Sequence, residues 1–146
     1  MKTALLVLLA LLLEVGPAWA VLGEHESSVS LDQRYIRGVD RQEVRQGYRL
    51  HEMTTADGGL VREYVSPAGI VFGISWHGHS MPNLQQLLGS YMTDLQQGPR
   101  QTVRRRSLAV RTDKFVFVSM GRMRSFHGHA YVPSLIPSNL GPEVVQ

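Results

Sequence analysis

The spacing of hydrophobic and polar positions changes several times along the chain, and each change predicts a different element. The first regime is an almost unbroken apolar run from Thr3 to Leu13, preceded by Lys2, broken by Gly16-Pro17 and followed by Ala18-Trp19-Ala20. A charged start, a short apolar stretch and a small-x-small ending make an export signal, cleaved before Val21. The run has about 11 residues, whereas a membrane span takes roughly 20. The expectation is a signal peptide over 1–20 and a mature chain that is periplasmic or secreted, with no transmembrane segment after signal removal.

Residues 21–47 are polar. Ser30-Leu31-Asp32-Gln33 has capping-box spacing, and a helix starting there would stop at Gly47. Leu31, Tyr35 and Val39 recur every four residues beside a stripe of Arg34, Arg37, Arg41 and Arg45. Gly38 in the middle counts against a helix. The segment is therefore a polar N-terminal stretch for which a helix is one reading, with the Arg stripe as its solvated face.

From Tyr48 the pattern changes to short β-type runs punctuated by turns. Tyr48 to Thr54 and Leu60 to Val65 read as strands around Asp57-Gly58-Gly59, a hairpin signal. A two-residue loop would set Glu52 beside Glu63 as a carboxylate pair able to share a proton. A three-residue loop would separate them, and this is the favoured register. Ser66-Pro67-Ala68-Gly69 is the next turn. Ile70 to Trp76 follows, with Ile70, Phe72, Ile74 and Trp76 on one face and Val71, Gly73, Ser75 and His77 on the other. A bulge at the turn would pair Ser66 with Ile70 and Tyr64 with Phe72, leaving Glu63 on the exposed face.

After Pro82, Leu84, Leu87, Leu88, Tyr91 and Leu95 form one continuous helical stripe, ended by Gly98-Pro99, with Gln85, Gln86 and Gln96 towards water. Residues 100–107 form a basic connector. Leu108 to Arg111 and Lys114 to Met120 read as strands, Ala130-Tyr131-Val132 as one more, and the rest as a Pro-punctuated tail. The predicted fold class is α+β: an antiparallel sheet of five or six strands with one main amphipathic helix. The domain division is 1–20, 21–47, a single domain over 48–136, and a tail over 137–146.

Composition narrows the chemistry. The mature 126 residues make one domain with one modest core. There is no cysteine, hence no disulfide, thiolate nucleophile or Cys-based metal site. Thirteen of the 15 basic residues are Arg, and the net charge is +3. Arg104, Arg105 and Arg106 are candidate anion-binding residues. For an exported chain their partner would be an anionic envelope component rather than nucleic acid. The alternative is a solvated loop.

Two His-Gly-His tripeptides are the other constellation with a chemical shape. On an extended chain, positions i and i+2 share a face about 6.6 Å apart, a spacing from which two imidazoles can close on one ion. His77, His79, His127 and His129 are thus candidate metal ligands, with Met81, Met120 and Met123 close in sequence. The favoured reading is two separate exposed turns, too far apart to share an ion. Ser75 is a weaker candidate: Gly73-Ile74-Ser75-Trp76-His77 lies inside a strand and lacks the second glycine of a nucleophile elbow. No catalytic residue and no cofactor is assigned.

The stretch Val61-Arg62-Glu63-Tyr64-Val65-Ser66-Pro67-Ala68-Gly69-Ile70-Val71-Phe72-Gly73-Ile74-Ser75-Trp76, followed by Met81-Pro82-Asn83-Leu84-Gln85-Gln86-Leu87-Leu88-Gly89-Ser90-Tyr91, resembles a bacterial family catalogued as domain of unknown function 2844. Gly121 to Pro133 is similar to that family's ending, and Val21-Leu22-Gly23 to its opening. The resemblance covers roughly residues 58 to 136. It implies a small exported bacterial protein without an established activity, and it carries over no site residue. The family pattern follows the tryptophan with x-Gly-Pro and has Gly-Arg in the late motif. Here His77-Gly78-His79 and Gly128-His129 stand in those places, so a site built on these histidines would belong to this chain. The expected function is a non-enzymatic binding or accessory role in the cell envelope; the alternatives are a histidine-based metal binder and a small hydrolase.

Overall fold

The structure is a computed structural model that describes residues 22–29, 39–101 and 106–146. The predicted signal peptide over 1–20, the predicted helix start over 30–33, and Arg34, Arg37, Arg104 and Arg105 lie outside them. The fold is one eight-stranded antiparallel sheet: β1 (Val39–Arg45), β2 (Tyr48–Thr54), β3 (Leu60–Val65), β4 (Val71–Gly78), β5 (Arg100–Gln101), β6 (Ser107–Arg111), β7 (Val116–Arg122) and β8 (Ser125–Tyr131). Their order is β1-β2-β3-β4-β8-β7-β6-β5. Two meanders therefore meet at the β4–β8 seam. Between β4 and β5 the chain carries two short helices, α1 (Leu84–Leu88) and α2 (Tyr91–Gln97), across one face.

This corrects the expected α+β class with five or six strands: the fold is closer to all-β. Two strands were hidden in the sequence. Val39–Arg45 is a strand rather than the end of a helix, joined to β2 by a two-residue turn in which Gly47 has φ +89°. A glycine with positive φ serves a helix C-cap and a hairpin turn equally, so the stop signal was real and its meaning different. This edge strand is polar on both faces, which erases the period-two signal. The two-residue β5 sits in the basic connector.

The helical stripe is also cut in two. Gly89, with φ +50° and ψ −119°, ends α1, whose N-cap is Asn83. Leu87, Leu88 and Leu95 are buried against the sheet as expected, and Gln85 and Gln96 are exposed, but Gln86 is buried.

The sheet has two differently closed faces. On the helix face, Met53, Val61, Val65, Ile74, Trp76, Phe117 and Ala130 pack under α1, α2 and the N-terminal segment carrying Leu22 and Val29. On the other face Leu50, Tyr64 and Phe72 are covered by the C-terminal tail, which inserts Val145. Gly73 admits that tail: a Cβ there would stand 2.6 Å from a Val145 methyl.

Candidate functional site

The first hairpin has the favoured loop. Thr55 N–H bonds the Gly59 carbonyl at 2.8 Å around three residues, with Gly58 at φ +80°. Glu52 then stands opposite Arg62 on the tail face and bonds its Nε at 2.9 Å, while Glu63 stands opposite His51 on the helix face. The two carboxylates are on opposite sides of the sheet and form no acid–base pair. At the second turn Ser66 N–H bonds the Ile70 carbonyl as expected. The bulge, however, lies at Phe72, so Tyr64 faces Gly73 and Glu63 faces Ile74. Phe72 consequently joins the tail-face cluster, Ile74 and Trp76 stay on the helix face, and Glu63 is 2% exposed rather than solvated.

On the helix face the polar groups are tied together. Arg49 donates from Nε to Glu26 at 2.8 Å and from its terminal nitrogen to the other oxygen of the same carboxylate. His51 bridges Glu26 at 3.0 Å and Asp40 at 3.2 Å. The Arg49 hydrogen bonds, then His51, hold the Glu26 carboxyl down at about 2. This network fastens the N-terminal segment to β1 and β2.

The tail face is different. Beside Gln146 lies a groove of about 490 Å³ over the β3, β4, β8 and β7 ends. Its floor and walls include Leu60, Val118 and Trp76; its polar lining is Arg62, Ser75, Ser125, His77, His127 and His129, with Met120 at the rim. No carboxylate side chain is among these lining residues. The tail bounds it: the Gln146 main-chain oxygen accepts from Tyr64 Oη at 2.6 Å, Ser75 Oγ at 2.9 Å and Arg62 at 3.4 Å. Ser75 is thus buried and engaged by Gln146 and Tyr64, an anchor for the tail.

The histidines overturn the expectation of two remote turns. The second tripeptide is inside β8, where Gly128 faces Trp76 and both histidines project to the tail face. Glycine is required there, because a Cβ would stand 2.5 Å from the indole Cζ2 and 2.5 Å from the Val118 carbonyl oxygen. His77 is the direct cross-strand partner of His127, with ring centroids 6.2 Å apart, and His129 is the partner of Ser75. Three of the four candidate histidines therefore line one groove. His79 does not: it follows the end of β4 and is exposed. Burial, with a smaller push from Arg111, lowers the pKa of His129, whose ring stacks on Tyr131. Among the described residues no three His, Asp or Glu side chains are grouped to hold a metal by themselves. Of the candidate anion-binding residues, Arg106 is exposed at φ +73°, and Arg104 and Arg105 lie outside the described residues. Sequence reasoning missed Arg62 and Trp76. Trp76 also carries a buried Nε1 without a hydrogen-bond partner among the described residues.

Fold and groove define a small antiparallel β-sheet protein with a histidine-lined, partly apolar recess. The chain belongs to the family described as protein of unknown function (DUF2844), matched over residues 18–145, well beyond the 58–136 that the motifs alone cover. No curated protein and no solved structure matches it.

Proposed function

We propose that this is an exported, non-enzymatic binding protein of the bacterial cell envelope, and that it holds its ligand in the tail-face groove. The observation that carries the reading is the lining: Arg62 and three histidines over an apolar floor, with no carboxylate among them. Such a recess combines apolar burial with a few convergent polar donors, the usual make-up of a small-ligand site. Export is supported by the leader over 1–20. Among the described residues no helix is long and apolar enough to cross a membrane. Exposed Arg100, Arg106 and Arg111 add an anion-attracting edge, worth about 1 kcal/mol per Arg beside an anionic surface.

Capture from the protein's own envelope fraction, with mass spectrometry of what is retained, tests the reading. The comparison is with Met120→Arg, which fills the groove mouth from a residue 40% exposed. Ligand retained by the parent and lost by the variant supports the groove; equal retention, or none by either, contradicts it.

A further inference from the structure

We propose that His77, His127 and Met120 form a binding site for one soft metal ion, copper as Cu(I), at the rim of this groove, which rests on reading the groove as the ligand site. The three residues occupy one row across three adjacent strands. His77 on β4 is the direct partner of His127 on β8, and His127 is the direct partner of Met120 on β7. All three line the same groove and all three are exposed.

The spacing suits chelation. Two imidazoles bound through nitrogens at about 2.0 Å from one ion have ring centroids about 5–6 Å apart. The observed 6.2 Å needs only side-chain rotation, since both rings are free of carboxylate ion pairs among the described residues. This contrasts with His51, whose two ring nitrogens are taken by Glu26 and Asp40. The thioether selects the metal. Imidazole suits zinc and copper alike, whereas sulfur from methionine favours Cu(I) over harder divalent ions. No carboxylate side chain lines the groove, so the charged oxygen ligands that favour magnesium, calcium or manganese are missing from it. His79 and Met123 stand outside this row, so the sequence proximity of the second histidine and third methionine does not make them ligands.

The test is a Cu(I) titration of the untagged protein in the presence of a chromogenic Cu(I) chelator, set beside Zn(II) titration by calorimetry. The expected result is one Cu(I) per chain, lost in His77→Ala and in His127→Ala and unaffected in His79→Ala. Met120→Leu, which keeps the volume, should weaken Cu(I) at least tenfold and leave Zn(II) binding unchanged. Metal-free melting temperatures of the variants should match the parent, because the substituted side chains are exposed. Absence of Cu(I) binding, binding indifferent to either histidine, or Zn(II) preferred with Met120→Leu silent would each overturn the proposal. If Cu(I) fails while Met120→Arg still abolishes envelope capture, only the metal is wrong. If that variant still captures, the groove reading itself fails.

Discussion

The two faces of the sheet obey the same alternation of side chains but are closed in opposite ways. On the helix face, two helices and the N-terminal segment cover the apolar positions, and the polar groups Arg49, Glu26, His51 and Asp40 neutralise one another. On the tail face the C-terminal segment covers Leu50, Tyr64 and Phe72, and beside it Arg62, held by Glu52, lines a groove with His77, His127 and His129. A buried polar group must find a partner because leaving it unpaired costs about 1–3 kcal/mol. The exposed imidazoles of His77 and His127 face no such demand, so they remain available to a ligand. Histidine content alone distinguishes nothing here; the closure of the face does.

The comparison breaks first on packing. Leu87→Ala, at 3% exposure beneath the helix cover, should lower the unfolding free energy by about 2–5 kcal/mol. Denaturant unfolding measures it. Groove-face His127→Ala should shift the midpoint little, and equal losses at the two sites would dissolve the distinction between faces. Next is Gly128→Ala, which forces a methyl against the indole and the Val118 carbonyl and should cost about 1–3 kcal/mol by overpacking.

Much of the sheet was legible because short β-type runs are punctuated by turns that carry Gly58 and Gly69 at positive φ. The strand β1 was not, because an edge strand with Val39 and Val44 both over 75% exposed buries neither face and so writes no period-two pattern. The helical stripe placed Leu87, Leu88 and Leu95 correctly, yet periodicity could not show that Gly89 breaks the axis. The site was half legible. His-Gly-His in β8 looked like a turn because glycine is a poor strand former; its glycine is instead the small seat for Trp76 across the seam. Once those residues are extended, His127 and His129 share a face as the i, i+2 rule requires. That His77 lies opposite His127 depends on two meanders meeting at β4–β8, a long-range pairing with no local trace.

Acid should act on the closed face. The Glu26 carboxyl titrates at about 2 when folded, against an ordinary 4.5, so its contribution to stability is complete above 4.5 and disappears as pH falls towards 2. Glu26→Gln should flatten the stability profile in that window, read from denaturant midpoints at each pH; an unchanged slope would mean that the Arg49–Glu26–His51 link does not fasten the N-terminal segment. On the open face the smaller effect has its own window. The pKa of His129 is depressed by burial, so protonation favours the unfolded chain and stability should decline as pH drops below about 6.5. His129→Gln should remove that decline, and its persistence would place the titrating group elsewhere.

Hydrogen–deuterium exchange of the protein with and without its own solubilised envelope extract tests the difference between the faces most directly. The account predicts added protection in the peptides carrying Trp76–Gly78, Val118–Met120 and Phe126–His129, with residues 84–97 and 39–45 unchanged. Protection gained over α1, α2 or β1, with none along the groove strands, would contradict it.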